Sequence, residues 1–216
     1  MSKTTTAIVD YKLNNLKSVK AACDYVGLNS FVTSNFKEVL KSDSIILPGV
    51  GSFKEAMKNL KKLDLDKSII ESINKKKYFL GICLGMQLLF AKSEEFGQTE
   101  GLNLIEGEVV KFKNLKNYSF PIPHVGWNNV NFLKQNNIRK TIKSITQMYF
   151  VHSYYAKPQK KNIILSETNY CNTNFCSSIS KQNIFAFQFH PEKSGELGLK
   201  VYKNYLDIIN NDKNTF

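Results

Sequence analysis

The chain contains almost no arginine and almost no tryptophan. Among its 216 residues, Arg139 is the only arginine and Trp127 the only tryptophan, so the formal net charge of +12 comes almost entirely from lysine. Nucleic-acid-binding proteins usually contact phosphates and base edges through the planar guanidinium of arginine. We therefore expect no nucleic-acid partner. The scattered lysines indicate a solvated face, and a docking surface for an acidic partner remains an alternative.

Long apolar runs are also missing. No run approaches the roughly 20 residues of a membrane-spanning helix, and no basic-then-apolar leader opens the chain. We therefore expect no membrane association and a cytoplasmic location. The four cysteines lack zinc-finger spacing, which favours reduced thiols. The length and the 42% hydrophobic content predict one domain over residues 1–216.

Strand and helix patterns alternate through the first half of the chain. Apolar, β-branched runs predict strands at 5–9, 31–32, 44–47 and 78–82, and helical spacing predicts helices at 14–26, 52–60 and 69–73. Short connections between such elements favour a parallel sheet covered on both faces.

The second half is rich in strands. Period-two and apolar patterns predict strands at 128–132, 149–155, 163–168, 176–179 and 184–189, followed by an amphipathic helix at 199–209 and a frayed tail at 210–216. Meanders of this kind usually pair antiparallel and extend or flank a parallel sheet. The predicted class is α/β.

Cys83 lies in a pattern typical of a nucleophile. It follows the strand at 78–82 and precedes a helix predicted from Gly85 to about Ala91. Gly81 and Gly85 flank it at two residues on either side, as in a nucleophile elbow. A cysteine at a helix start is favoured as thiolate. On this stretch alone, a buried structural cysteine remains an equal alternative.

A second motif, Pro48-Gly49-Val50-Gly51, follows the strand at 44–47. Two glycines around one residue let backbone N–H groups turn toward a ligand. That suits an oxyanion hole, which needs donors where negative charge develops. A plain strand-to-helix loop is the alternative.

A third motif ends the strand at 184–189. His190 stands at the strand end, Pro191 stiffens the turn, and Glu192 can reach back to one imidazole nitrogen. A carboxylate there fixes the tautomer and leaves the other nitrogen for Cys83. The three side chains form a candidate activated-thiol triad, and a structural histidine is the alternative. Ligand sites in open α/β sheets lie at strand carboxyl ends, so we expect the motifs to meet there.

Histidine is scarce, which narrows the metal-binding alternatives. Only His124, His152 and His190 occur, and a zinc site built from all three is the alternative to the triad. Because Cys83 and Glu192 already account for His190, we expect no metal and no cofactor.

Together these motifs resemble the class I, triad-type glutamine amidotransferases. The pairing of Gly81-Ile82-Cys83-Leu84-Gly85 with His190-Pro191-Glu192 carries the resemblance. Within the family, the chain is most similar to HisH-type glutaminase subunits of imidazole glycerol phosphate synthase. The similar segments span nearly the whole sequence, at 10–16, 48–53, 81–87, 124–128, 152–155 and 189–194.

The resemblance implies a flavodoxin-like three-layer fold, with a mainly parallel sheet and antiparallel strands in the C-terminal half. It also implies hydrolysis of glutamine to glutamate and ammonia. Cys83 would attack the side-chain amide, His190 would transfer the proton, and Glu192 would orient His190. The other implied positions are Val50, Gly51 and Leu84 for the oxyanion, and Gly49, Gln87, His152, Ser153 and Tyr154 for the substrate.

The family passes its ammonia to a HisF-like (β/α)8 cyclase of histidine biosynthesis, which implies a heterodimer. Asn15, Trp127 and Lys193 match positions at that contact. The first loop departs from the family, because Leu13-Asn14 replaces a run that usually contains glycine.

Because that loop faces the partner, another acceptor for the ammonia remains an alternative: an amidotransferase that makes amidino sugars for surface polysaccharide. Two rivals belong to other classes. A cysteine peptidase or deglycase on a related fold would place a histidine directly after or near the nucleophile, where this chain has Leu84. The other is a non-catalytic basic binding module.

Overall fold

The structure, a computed structural model, describes residues 4–13, 15–113 and 121–213. Asn14, named in the first loop, and residues 214–216 of the predicted tail lie outside these ranges. The strands are β1 Thr6–Val9, β2 Ser30–Thr33, β3 Ser44–Leu47, β4 Tyr78–Ile82, β5 Phe90–Ser93, β6 Thr99–Glu100, β7 Ile105–Lys111, β8 His124–Phe132, β9 Ile145–His152, β10 Tyr154–Pro158, β11 Ile164–Tyr170, β12 Thr173–Lys181 and β13 Ile184–Phe187. The helices are α1 Leu16–Tyr25, α2 Phe36–Lys41, α3 Phe53–Lys62, α4 Leu65–Asn74, α5 Leu84–Gln87 and α6 Gly195–Lys213.

A nine-stranded sheet in the order β2-β1-β3-β4-β13-β12-β11-β8-β9 forms the centre. The strands from β2 to β13 pair parallel, and those from β13 to β9 pair antiparallel. The predicted α/β class is therefore confirmed, with the antiparallel strands in the C-terminal half. In the register of β4 and β13, Ile82 pairs with Phe187. The chain segments that follow these two strands thus leave the sheet at the same edge.

Strand β1 illustrates how helices cover both faces of the sheet. Ala7 and Val9 belong to one buried cluster and Ile8 to the other, because successive side chains of a strand point to opposite faces. Helices α3 and α4 contribute to the first cluster, and α1 and α6 contribute to the second. The result is a three-layer arrangement.

A second sheet of four strands, in the order β10-β7-β5-β6, is hydrogen-bonded separately from the central one. The single strand predicted at 149–155 is wrong here, because β9 ends at His152 and β10 begins at Tyr154. β9 pairs with β8, whereas β10 pairs with β7. The chain therefore crosses between the two sheets at Ser153.

The helix predicted from Gly85 to about Ala91 is wrong in its second half. Helix α5 ends at Gln87, and β5 begins at Phe90. The Leu88 carbonyl accepts from the Leu102 N–H at 2.9 Å, so this run bonds to residues distant in sequence. A short buried apolar run does not distinguish helix from strand.

Other differences lie away from the predicted site. Helix α2 and strand β7 were not predicted, and α6 stays helical to Lys213, so the fraying predicted from Asn210 is wrong over that range. Ser52 caps α3, because its Oγ accepts from the Glu55 N–H at 3.4 Å. Among the described helices, none combines the length and apolar character that crossing a membrane requires.

Candidate active site

Cys83 lies on the turn between β4 and α5 with φ +52° and ψ −108°. A positive φ is strained for a residue other than glycine and is typical of functional turns. The Cys83 N–H donates to the Phe187 carbonyl at 2.7 Å, which ties the turn to the end of β13. A Cβ on Gly85 would overlap the Leu47 carbonyl, and one on Gly81 would lie 3.0 Å from the Gly85 carbonyl oxygen. Gly85 therefore has room only for glycine, and Gly81 is a tightly packed position.

His190 and Glu192 form a buried pair just after β13. His190 Nδ1 lies 2.8 Å from Glu192 Oε1, and each side chain is 1% exposed. Because a carboxylate only accepts hydrogen bonds, Nδ1 carries a proton. Within the described ranges His190 Nε2 has no hydrogen-bond partner. The backbone holds the ring in place, since the His190 N–H donates to the Tyr149 carbonyl at 2.9 Å.

The charges around His190 favour an imidazolium. Burial alone would lower the pKa of His190, but the nearby charge of Cys83, together with the charge and hydrogen bond of Glu192, raises it from 6.5 to about 10. With Nδ1 engaged by Glu192, Nε2 is the nitrogen left for the sulfur. The arrangement can therefore hold a thiolate–imidazolium pair, the reactive form of a cysteine nucleophile.

Gln188 is a neighbour of the thiol that the sequence did not reveal. Its Nε2 lies 3.6 Å from Cys83 Sγ, and its Oε1 accepts from Gln87 Nε2 at 2.9 Å. The side chain is fully buried. An available signal was the polar residue within the apolar run Phe187-Gln188-Phe189. A buried amide must find partners, and here they are the Cys83 thiol and Gln87, a residue of the cleft.

The predicted oxyanion loop packs against the first loop of the chain. A Cβ on Gly49 would overlap the Tyr11 hydroxyl, which is buried and has no hydrogen-bond partner in the part of the chain described. The Val50 N–H donates to the Leu13 carbonyl at 3.0 Å, so this donor points toward the first loop. Gly51 has φ +96°. The loop thus needs glycine on both sides of Val50, and its predicted donor is engaged elsewhere.

A cleft of about 400 Å³ opens over the thiol. Most of the predicted substrate and oxyanion positions line it: Val50, Gly51, Leu84, Gln87, His152, Ser153 and Tyr154, together with Cys83 and Lys193. Gly49 lies behind this surface against Tyr11. His190 and Glu192 are buried and do not line the cleft.

Glu95 lines the cleft and was missed by sequence reasoning. It follows β5, a strand that the sequence did not predict, so no local pattern placed it near the site. The pKa of Glu95 is raised overall, because burial raises it more than the Phe53 N–H lowers it. The Phe53 N–H donates to Glu95 Oε2 at 2.6 Å. That bond fixes the carboxylate at the cleft edge.

The three predicted interface residues occupy different surroundings. Trp127 is 55% exposed on β8 and is therefore not a core residue. The centroid of its ring lies 6.2 Å from that of the Tyr149 ring. Lys193 Nζ lies 5.9 Å from the centroid of the Tyr149 ring. Asn15 is the N-cap residue of α1; its side chain makes no capping bond to the helix backbone and accepts from Ser18 Oγ at 3.1 Å. Val125, next to Trp127, is 57% exposed, which extends the exposed apolar surface of β8.

The histidines do not gather around a metal position. In the described ranges, no group of three His, Cys, Asp or Glu side chains is arranged to hold a metal ion. His124 and His152 instead contact each other, with Nδ1 of His124 3.0 Å from Nε2 of His152.

Comparison with known proteins agrees with this geometry. The sequence profile of the family described as "Glutamine amidotransferase class-I" matches residues 7–207. The chain is 45% identical to imidazole glycerol phosphate synthase subunit HisH 1 of Methanococcus maripaludis, covering 94% of this chain and 99% of that protein. It is also 45% identical to the HisH subunit of Aquifex aeolicus, covering 93% and 95%.

Among solved structures, PurLQS from Thermotoga maritima has a similar fold. The TM-score is 0.73 at 15% identity, covering 96% of this chain and 100% of that one. At that identity the likeness concerns the fold alone, whereas the family profile and the relatives cover nearly the whole sequence. The chain belongs to the class I glutamine amidotransferase family, among its HisH-type members.

Proposed function

We propose that this chain is the glutaminase subunit of an imidazole glycerol phosphate synthase, acting as one domain over residues 1–216. It hydrolyses glutamine to glutamate and ammonia with Cys83, His190 and Glu192. The observation that carries the proposal is a strained cysteine turn at the floor of a cleft, backed by a buried His–Glu pair. Membership of a family of glutamine amidotransferases supports the choice of substrate.

The triad divides the hydrolysis into two displacements. The Cys83 thiolate bonds to the side-chain carbonyl carbon of glutamine, and His190 gives its proton to the departing nitrogen. The C–N bond breaks, ammonia leaves, and a thioester remains. Water then gives a proton to His190 while its oxygen attacks the thioester, and the C–S bond breaks to release glutamate. Glu192 holds the imidazole in the required tautomer throughout.

The oxyanion of each tetrahedral intermediate needs backbone donors. The Leu84 N–H follows the nucleophile at a helix start, where N–H groups have no intrahelical partner. The Val50 N–H would be the second donor, but it bonds to the Leu13 carbonyl at 3.0 Å. Catalysis therefore requires the peptide between Gly49 and Val50 to turn. This geometry supports a chain that is weakly active alone and activated by its partner.

The cleft supplies groups suited to the amino-acid end of glutamine. The Glu95 carboxylate is fixed at the cleft edge by the Phe53 N–H and suits the substrate ammonium. Both N–H bonds of the Gln87 amide are used by the Tyr154 carbonyl and by Gln188. Gln87 Oε1 is therefore the atom that can accept from the substrate.

The ammonia acceptor is a (β/α)8 cyclase in a heterodimer with this chain. Val125 and Trp127 form an exposed apolar patch on β8, and the lone tryptophan is suited to anchor an interface. Lys193 connects this patch to the cleft, since it lies over Tyr149 and also lines the cleft. Asn15 at the start of α1 extends the contact.

Glutamate release by the chain mixed with its barrel partner tests the proposal. Wild type should release glutamate from glutamine, and Cys83→Ala should release none. Cys23→Ala is the matched control, because Cys23 is a buried thiol on α1 and should leave the rate unchanged. Glutamate release by Cys83→Ala at the wild-type rate would refute the assignment.

A further inference from the structure

The His124–His152 pair has no step in the proposed reaction, yet it is buried beside the cleft. The two residues lie directly opposite each other in the antiparallel pairing of β8 and β9. Their exposed fractions are 3% and 6%. Buried polar side chains are usually hydrogen-bonded to defined partners.

The hydrogen bonds around the pair fix the position of each proton. His152 Nδ1 lies 2.8 Å from the Tyr154 carbonyl, which only accepts, so Nδ1 carries hydrogen. In a neutral ring Nε2 then accepts, and its partner is His124 Nδ1 at 3.0 Å. His124 Nε2 in turn accepts from Asn128 Nδ2 at 3.3 Å. The result is a directional chain from Asn128 to the Tyr154 carbonyl.

Neutral rings are what this chain of bonds requires, and burial provides them. Burial lowers the pKa of His124 to about 4. Burial also lowers the pKa of His152 to about 3, more than the Tyr154 carbonyl raises it. Protonation of either ring would turn an acceptor nitrogen into a donor and break the sequence of donors and acceptors.

The chain of bonds ends at the substrate side of the cleft. The Tyr154 carbonyl also accepts from Gln87 Nε2 at 2.9 Å. Gln87 continues to Gln188, which reaches Cys83 Sγ. Tyr154 lies where the backbone crosses from the central sheet to the second sheet, and Ser153 and Tyr154 line the cleft. The histidine pair therefore holds the carbonyl at which the cleft backbone and the Gln87 amide meet.

We propose that His124 and His152 are positioning residues: His124 orients His152, and His152 holds the Tyr154 carbonyl so that the Ser153–Tyr154 backbone and the Gln87 amide keep the shape that binds glutamine. This inference rests on the proposed glutaminase function. The rings take no part in bond making or breaking, because the triad supplies the nucleophile and the proton transfer.

Two substitutions at His124 separate hydrogen bonding from packing. His124→Phe keeps a ring stacked between Tyr170 and Phe150, whose centroids lie 3.9 and 4.8 Å away, but removes the donor to His152. His124→Asn keeps a side-chain N–H close to the Nδ1 position. The chain is assayed with its barrel partner for glutamate release, and Cys83 is labelled with iodoacetamide, which needs no glutamine site.

For His124→Phe we expect the KM for glutamine to rise about tenfold, the size expected for one lost hydrogen bond. We expect kcat to stay within about twofold, with an unchanged iodoacetamide rate, because the triad is intact. His124→Asn should restore most of the KM. An unchanged KM in His124→Phe, or equal losses in both variants with a lowered melting temperature, overturns the positioning role. Wild-type complex that releases no glutamate defeats the proposed function and this inference together, whereas an active wild type with unaltered variants defeats the inference alone.

Discussion

Replacing Glu192 by glutamine keeps the size of the side chain and removes the charge beside His190. The carboxylate lies 2.8 Å from His190 Nδ1 at 1% exposure, so solvent screens the pair little. A hydrogen bond to a charged group contributes about 1.5–3 kcal/mol, against about 0.5–1.5 kcal/mol between neutral groups. Glu192→Gln should therefore reduce the stabilisation of the transition state by about 1.5 kcal/mol, which lowers kcat for glutamate release roughly tenfold.

The same substitution should lower the pKa of His190, because one of the groups that raise it loses its charge. His190 then holds its positive charge less firmly beside Cys83 and favours attack by the sulfur less, so the iodoacetamide rate at pH 7 should fall. The KM for glutamine should not change, since Glu192 does not line the cleft. Glu196→Gln, an exposed neighbour on α6, is the matched control. A Glu192→Gln enzyme with wild-type kcat and labelling rate would refute the ion-pair reasoning.

Three further predictions concern the loops and the buried histidines. Adding the barrel partner should raise glutamate release by about a hundredfold without changing thiol alkylation, since a Val50 N–H turned to the oxyanion contributes about 3 kcal/mol; equal rates with and without partner would contradict this. Gly49→Ala should destabilise the fold by about 1–3 kcal/mol through overlap with the Tyr11 hydroxyl, and adding Tyr11→Phe should recover part of the loss in urea unfolding. The pKa values of His124 and His152 lie below that of an unfolded histidine, so the unfolded state binds more protons between about pH 4 and 6.5. The free energy of unfolding should therefore fall as the pH is lowered through that window, by up to roughly 1.4 kcal/mol per pH unit for each histidine. A pH dependence of stability in His124→Phe as steep as in wild type would contradict this.

The sequence predicted the parts of the site that depend on local turn chemistry. The Cys83 turn, the glycines around Val50 and the His190–Glu192 pair are each set by residues within a few positions of one another. The carboxyl-end rule for parallel strands then predicted that they meet, and the register of β4 with β13 brings the first and third together. Strain and crowding allow few other residues at these turns, so the sequence there is enough to predict the local structure.

The parts that were missed depend on pairings between distant segments. Gln188 contacts the thiol only because the end of β13 lies beside β4. Glu95 reaches the cleft only because the chain before it forms strand β5, where a helix was predicted to about Ala91. A period-two pattern shows that two faces differ, but it does not say which sheet a strand joins. Local propensity therefore predicted the helices and strands more reliably than it predicted which strands pair with one another.

The crossing at Ser153 shows how such a long-range pairing shapes the chemistry. The run from Tyr149 to Tyr155 contains no glycine or proline, yet the chain changes sheets within it because β8 and β7 offer separate edges to the two halves. At the crossing, the Tyr154 carbonyl turns to His152 and Gln87, where a continuous strand would have directed its backbone groups along a single ladder. The cleft wall at Ser153 and Tyr154 is thus made by a change of sheet, and under the positioning role proposed for His124 its shape depends on a side chain of β8 that lies far from Cys83 in sequence.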